Sequence, residues 1–219
     1  QEAKSAAEKL VNATKEKIIS ILNTQMNRLK EIGSQMIASG SKCIHRYDVI
    51  IVYSTSAAIR DTLVKANKIG KPFEVLILKQ DFTKTRKLIW TASGEKIDHE
   101  VIPEYNLSNF ITKANKFFLG SISITPDNKA VCPLGAAEVV SLCHLNKIPI
   151  YLFANSLKFS HKASSRHRIH EKTESRLDGQ TSYAMTIHSH CLVDLEHVDF
   201  IVREDGVIPH AEFRERLMR

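Results

Sequence analysis

The chain contains short, continuous runs of apolar residues separated by longer polar segments. Four of these runs have the length of a strand, at residues 49–53, 73–78, 117–122 and 150–153. A continuous apolar run is typical of a strand buried on both faces, because a half-exposed strand alternates apolar with polar residues. The segments between the runs can hold helices that cover both faces of such a sheet. The pattern therefore predicts an α/β fold with a doubly wound, mainly parallel, Rossmann-like sheet.

A second pattern marks the amino-terminal end. Residues 1–39 contain no proline, and their apolar residues recur at spacings of three and four, which predicts a long helix with an apolar stripe. The stripe consists of Val11, Ile18, Leu22, Leu29, Ile32 and Met36. It packs either on the chain's own domain or on a partner subunit. We expect Gly40 to cap the helix, with residues 1–40 as a helical remnant or linker and residues 41–219 as the α/β domain.

The turn after the first predicted strand is rich in hydroxyl side chains. Ser54, Thr55 and Ser56 follow this strand and precede a helix predicted over residues 57–67. Side chains of this kind cap helices, and the free backbone amides of such a turn can also hold a phosphate. Both interpretations stay open, since the turn lacks the glycines of a phosphate-binding loop. A second candidate region is the loop at residues 154–160, because open α/β sheets bind ligands at the carboxyl ends of their strands.

The carboxyl-terminal part of the chain is more polar. Residues 161–180 are dense in charged side chains, histidine and serine, and we expect an exposed loop there. His188 and His190 alternate along a short strand-like run, so we expect them on one side of it. The histidines lack the spacing of a metal site, and no metal is predicted. The chain then closes with a strand at 198–202, a turn at 206–209 and a helix at 211–218.

Composition narrows the classes of function. With 219 residues and 43% hydrophobic content the chain can bury a core of its own, yet no apolar run approaches the roughly 18–20 residues of a membrane span. The four cysteines lie far apart without CxxC spacing, which is typical of reduced thiols in a cytoplasmic protein. The net charge of +7 is compatible with an acidic partner or RNA. Because no RNA-binding signature with interleaved aromatic residues is present, we predict no direct nucleic-acid contact.

Four stretches carry a resemblance to a known family. They are the strand and turn at 48–56, the Phe-Leu-Gly at 118–120 followed by Asp127, Asn128 and Gly135, the strand and Lys-Phe loop that ends at Phe159, and the closing strand and Gly-Val-Ile-Pro turn at 198–209. In this order they resemble the carboxyl-terminal domain of the alpha, beta and delta regulatory subunits of eukaryotic translation initiation factor 2B, with a slight leaning to delta. The resemblance covers residues 41–218 and implies the same Rossmann-like fold, which methylthioribose-1-phosphate isomerase and ribose-1,5-bisphosphate isomerase share.

The departures from the family's pattern bear on catalysis. The isomerases that resemble this chain use a cysteine in the turn after the first strand and an aspartate beyond the Leu-Gly of the central strand. Those positions correspond to Ser54 and Ile122 here. An isoleucine transfers no proton, and a serine without a nearby base is a far weaker acid than a thiol. The resemblance therefore implies a divergent member of the family with no catalytic residues.

The resemblance implies a non-catalytic regulatory subunit of the guanine-nucleotide exchange complex for translation initiation factor 2, in the cytoplasm. Its expected partners are homologous regulatory subunits, in a homo- or hetero-dimer or larger complex, and initiation factor 2 itself. Two alternatives stay open: a sugar-phosphate isomerase with altered residues, and a metabolite-binding module. In the second, Ser54, Thr55, Ser56 and Lys158 would hold the phosphate of a sugar phosphate or nucleotide. No cofactor and no membrane contact are implied.

Overall fold

The computed structural model describes residues 2–53, 56–79, 82–166, 171–179 and 181–217, and these form twelve strands and five α-helices. The strands are β1 (Val49–Tyr53), β2 (Glu74–Lys79), β3 (Asp98–Pro103), β4 (Lys116–Gly120), β5 (Ser123–Thr125), β6 (Lys129–Pro133), β7 (Ile150–Phe153), β8 (Glu171–Asp178), β9 (Thr181–His188), β10 (His190–Asp194), β11 (Phe200–Arg203) and β12 (Gly206–Pro209). The helices are α1 (Glu2–Lys42), α2 (Ala57–Lys68), α3 (Phe82–Gly94), α4 (Ala136–Leu145) and α5 (His210–Leu217).

Seven strands form the central sheet, in the order β12-β11-β7-β4-β1-β2-β3. Neighbouring strands pair in parallel, except that β12, which was expected to be a turn, forms an antiparallel hairpin with β11. From β1 the chain proceeds to one side through β2 and β3, and it then fills the other side through β4, β7 and β11. This reversal beside β1 is the doubly wound topology. The predicted fold class is confirmed, and each of the four apolar runs contributes a strand to this one sheet.

Alternate residues of a central strand pack against opposite layers of the molecule. Ile50 and Val52 belong to a core with residues of α1, α2 and α3, whereas Ile51 and Tyr53 belong to a core with residues of α4 and α5. Each of the four is at most 1% exposed. Full burial of an aliphatic or aromatic side chain contributes about 1.5–3 kcal/mol. Coverage on both faces therefore explains why β1 is apolar at every position.

The predicted strand at 117–122 ends earlier than expected. β4 stops two residues before Ile122, whose amide donates a hydrogen bond to the Val131 carbonyl at 2.8 Å. The chain continues as β5, which pairs with β6 in a separate antiparallel sheet completed by β10. After β3 the chain forms two 3-10 helices, Glu104–Asn109 and Ile111–Lys113.

The second half of the segment at residues 161–180, expected as an exposed loop, contributes to a hairpin. β8 and β9 pair in antiparallel fashion, and Gly179 between them has a left-handed φ of +59°. Residues 167–170 lie outside the described part of the chain. His188 ends β9 and His190 begins β10, so these two histidines do not share one side of one strand. Hydrophobic periodicity misses this hairpin because most of its described side chains are exposed and polar.

Gly40 lies inside α1, so the predicted helix cap is wrong. A Cβ atom at this position would lie 2.7 Å from a ring carbon of Phe153 and 2.9 Å from the Thr62 hydroxyl. Both distances are too short for a side chain to be added without displacement. Glycine therefore permits close approach of α1 to α2 and β7. The helix continues to Lys42 because packing outweighs the low helix propensity of glycine.

We expect Gly40→Ala to destabilise the protein, although alanine is the better helix former, because overpacking of a core typically costs about 1–3 kcal/mol. Gly33→Ala is the matched control, since Gly33 lies in the same helix with nothing within 4 Å of an added Cβ. This second substitution should stabilise the protein by up to about 1 kcal/mol. Urea unfolding measures both effects, and equal midpoints for the two variants would contradict the packing described.

Along the first part of α1 the apolar stripe is exposed to solvent. More than half of the residue surface is exposed at Ile18, Leu22 and Leu29. Ile32 and Met36, by contrast, are buried against the α/β domain. The side chain of Val11 lies outside the described part. Within the described residues, neither α1 nor any other helix is long and apolar enough to cross a membrane.

Candidate functional site

A cavity of about 1010 Å³ opens beside the carboxyl ends of the central strands. Its lining includes Tyr53 at the end of β1, Ile122 just beyond β4, and part of the 3-10 helix Glu104–Asn109. The start of α4 contributes to it as well, and Ile187 and His190 reach it from β9 and β10. Open α/β sheets bind their ligands at this edge, and the volume is that of a small-molecule site. This cavity is therefore the candidate functional site.

Tyr53 joins three elements at the cavity. Its hydroxyl lies 2.7 Å from Glu104 Oε2 and 2.5 Å from the carbonyl oxygen of Leu134. Gly135, which directly precedes α4, has a left-handed φ of +87°, and a Cβ atom there would lie 2.1 Å from the Tyr53 hydroxyl. Only glycine suits both this backbone conformation and this approach. Tyr53 thus links the end of β1 to the start of α4 and to the segment after β3.

Carboxylates dominate the charged groups of the cavity. Glu104 and Glu138 line it, the latter in the first turn of α4. No lysine or arginine belongs to its lining in the part of the chain that the structure describes. His190 is the lining side chain there that can become cationic, and its Nδ1 lies 2.9 Å from Ser189 Oγ. The local field therefore favours a hydrogen-bond donor or a cation over an anion.

The predicted hydroxyl turn is only partly described. Ser54 and Thr55 lie outside the described residues. Ser56 occupies the N-cap position of α2, where its carbonyl accepts the Arg60 amide at 3.2 Å, and its side chain makes no capping hydrogen bond. That bond is the first ordinary hydrogen bond of the helix, so the Ser56 side chain does not cap α2, and a phosphate-binding role for the turn remains a prediction.

Lys158 lies in a short 3-10 helix, Ser156–Lys158, that follows β7. Its Nζ donates a hydrogen bond to the carbonyl of Ser121 at 2.5 Å, just beyond β4. Burial lowers the pKa of this amine, and the nearby Cys132 acts in the opposite direction. Lys158 and Ser56 lie at the same edge of the sheet, since β1, β4 and β7 are neighbours. Lys158 does not belong to the lining of the cavity.

The thiols are not poised for nucleophilic chemistry. Cys43, Cys132 and Cys143 are buried, Cys191 is half-buried, and all four are free of disulfides. Burial raises the pKa of Cys43 to about 11 and that of Cys143 to about 12, and it raises the pKa of the other two thiols as well. A protonated thiol is a poor nucleophile and a poor metal ligand. Within the described residues, no group of three or more His, Cys, Asp or Glu side chains is placed to hold a metal ion.

Sequence reasoning missed the acceptor groups of the cavity. Glu104 directly follows β3, and Glu138 falls in the first turn of α4, four residues after Leu134. A signal was available, because the carboxyl ends of parallel strands are where ligand-binding groups converge. Ile122, where the resemblance places the aspartate of the isomerases, lines the cavity. It presents an aliphatic side chain that cannot transfer a proton.

Comparison with known sequences finds a family whose model matches most of the chain. The model of the Initiation factor 2 subunit family matches residues 1–202. A curated relative from Pyrococcus furiosus, named as translation initiation factor eIF-2B subunit 2-like, is 28% identical over 159 residues, which is 72% of this chain and 55% of the relative. The chain thus spans about half the length of the Pyrococcus relatives that it matches.

Solved structures share the fold at low sequence identity. A chain of the tetrameric eIF2B-beta2-delta2 complex from Chaetomium thermophilum matches with a TM-score of 0.71 and 16% identity, over 97% of this chain and 67% of that chain. The 5-methylthioribose 1-phosphate isomerase from Pyrococcus horikoshii OT3 matches with a TM-score of 0.73 and 11% identity, over 86% and 59% respectively. These two likenesses establish the fold alone. The sequence match extends from residue 1 to residue 202, and on that evidence the chain belongs to the Initiation factor 2 subunit family.

Proposed function

We propose that this chain is a non-catalytic regulatory subunit of a guanine-nucleotide exchange complex for translation initiation factor 2. It acts in the cytoplasm through protein–protein interfaces with homologous regulatory subunits and with initiation factor 2. The observation that carries the proposal is the exposed apolar stripe of α1 on an α/β domain of this family. The names of relatives, which include a translation initiation factor eIF2B subunit delta from Schizosaccharomyces pombe, support the translation context.

The stripe has the spacing of a helix–helix interface. Ile18, Leu22 and Leu29 continue a line of three- and four-residue steps that Gln25 completes, and the three apolar members are exposed. Full burial of each apolar side chain would contribute about 1.5–3 kcal/mol. Contiguous exposed apolar surface of this kind marks interaction sites in soluble proteins. A partner that covers these three side chains would therefore contribute several kcal/mol of binding free energy.

A homologous subunit is the occupant that we propose for the stripe. The structural neighbour from C. thermophilum is a complex of beta and delta subunits, so chains with this fold assemble with one another there. Exposed Lys17 and Arg28 lie along the same part of α1 and suit an acidic partner surface, with an attraction that weakens as salt rises. In this proposal residues 1–40 are an interaction helix, and residues 41–219 are the α/β domain that supports it.

Within this proposal the chain is not an enzyme. Ile122 brings no proton-transferring group to the cavity, and Ser54 stands where the resemblance places a cysteine. A metabolite-binding module is the second candidate, with Ser54, Thr55, Ser56 and Lys158 around a phosphate. The position of Ser56 and Lys158 at the carboxyl edge of the sheet favours it. An isomerase is the least supported, because it has only the shared fold behind it.

The double substitution Leu22→Glu/Leu29→Glu tests the proposal. Full-length chain that carries it should lose co-purification with co-expressed homologous regulatory subunits by at least about tenfold, because burial of unpaired charge costs several kcal/mol. Asn23→Glu/Asn27→Glu is the matched control, since it adds the same charge to the opposite face of the helix. Circular dichroism should be unchanged in both variants. Retention of the partner by the stripe variant, or equal loss in both variants, would contradict the proposal.

A further inference from the structure

In the cavity at the carboxyl edge of the sheet, one tyrosine hydroxyl lies between two hydrogen-bond acceptors. The Tyr53 hydroxyl lies within hydrogen-bond distance of both Glu104 Oε2 and the Leu134 carbonyl oxygen. A phenol has a single proton, so it can donate fully to only one of them. The other acceptor is open to solvent or to a ligand, because Glu104 and Leu134 are both exposed. The cavity therefore offers acceptor oxygens to a ligand that donates hydrogen bonds.

The start of α4 would ordinarily attract an anion, but its surroundings oppose one. Free amides and the helix dipole make a helix amino terminus a site for phosphate or carboxylate. Here Glu138 occupies the first turn, and Glu104 Oε2 lies 3.3 Å from the position of a Cβ at Gly135. The two carboxylates already interact favourably with the positive, amino-terminal end of the α4 dipole. An added phosphate would meet their repulsion with no described lysine or arginine in the lining to offset it.

The rest of the lining suits an apolar body. Leu107, Ile122, Leu142 and Ile187 contribute aliphatic surface from four different segments of the chain. Tyr105 also lines the cavity and is 87% exposed, so its ring lies at the rim. An aromatic face near a cation adds attraction to that of the carboxylates. Mostly apolar walls with a few convergent polar groups are the ordinary composition of a small-molecule site.

We propose that this cavity binds an amphipathic organic cation. Its ammonium or guanidinium group donates to Glu104, Glu138 and the Leu134 carbonyl, and its hydrocarbon part lies along Ile122 and Leu142. This cavity is a different surface from the α1 stripe, and its ligand is independent of the subunit proposal. The ligand also differs in charge from the phosphate ligand that the resemblance to sugar-phosphate isomerases implies.

Three probes with one apolar body separate charge from hydrophobicity: 4-phenylbutylamine, 4-phenylbutanol and 4-phenylbutyrate. Calorimetric titration of the full chain should give the tightest binding for the amine, at least about tenfold tighter than the carboxylate, since charge-assisted hydrogen bonds contribute about 1.5–3 kcal/mol. Ribose 5-phosphate, titrated in parallel, should not bind in this cavity.

Glu104→Gln and Glu138→Gln should each weaken amine binding about tenfold, while Glu16→Gln, on the exposed part of α1, makes the same change in net charge and should have no effect. Glu138 is exposed and keeps the Tyr53 contact intact, so its variant remains informative even if Glu104→Gln unfolds. No binding of the amine, equal binding of the three probes, or insensitivity to Glu138→Gln would overturn the inference.

Discussion

The chain should give no detectable turnover of methylthioribose-1-phosphate or ribose-1,5-bisphosphate. General acid–base groups typically contribute about 10²–10⁴-fold each, and the two positions that the resemblance assigns to them hold Ser54 and Ile122. The carboxylates of Glu104 and Glu138 add repulsion toward a phosphate substrate. The expected rate is that of buffer alone, under conditions where the P. horikoshii isomerase is active.

The Ser54→Ala variant is the control for this absence of activity. A contaminating isomerase would give the same turnover in preparations of the parent chain and of the variant. Clear turnover that disappears on Ser54→Ala would instead assign the activity to this chain. That second result would overturn the non-catalytic interpretation and would favour an isomerase with altered residues.

Replacement of Lys116 by methionine should lower the free energy of unfolding by about 3–5 kcal/mol, the usual cost of removing one partner from a buried ion pair. Lys116 begins β4, and its ammonium pairs with the carboxylate of Asp48. The Lys116 side chain is 9% exposed and the Asp48 side chain 7% exposed. Without this cation, the described partners of Asp48 are the Asn115 side chain and the His45 amide and ring. Urea unfolding measures the loss.

Lys113→Met is the matched control for the buried pair. Lys113 Nζ lies 3.9 Å from Glu100 Oε2, and the two side chains are 57% and 43% exposed. Exposed pairs contribute about 0–1 kcal/mol, so the control should change stability little. The double variant Asp48→Asn/Lys116→Met should recover part of the loss, because no uncompensated charge then stays buried. Equal losses for Lys116→Met and Lys113→Met would show that burial of the pair is unimportant.

The sequence predicts the central sheet well because of how that sheet is buried. β1 has a helical layer on each face, so every one of its residues is apolar and the run is visible without any other information. β8 and β9 have no such constraint, because backbone pairing holds them together while polar side chains face solvent. The hairpin is therefore invisible to a periodicity argument. Gly40 shows the same limit, since its role depends on a ring of β7 more than one hundred residues away.

The candidate site is harder to predict than the fold. Its polar groups come from the end of β1, from the segment after β3 and from the start of α4, and none of these positions belongs to a periodic pattern. Tyr53 was visible only as the last residue of an apolar strand, and Glu104 and Glu138 as ordinary surface carboxylates. The hydroxyl-rich turn points to Ser54, Thr55 and Ser56 instead, and Lys158 comes from the resemblance. The resemblance could not indicate the acidic character of the cavity, because that character arises from residues outside the shared motifs.

Sedimentation of the chain at micromolar concentration, at low and at high salt, tests most directly whether it works through subunit interfaces. We predict a dimer or larger species whose mass falls as salt rises, because the apolar stripe of α1 requires cover and its basic neighbours favour an acidic partner surface. A stable interface of this kind should bury on the order of 1,000 Å² or more. A monomer at every concentration and salt, with α1 intact as a helix, would contradict this account.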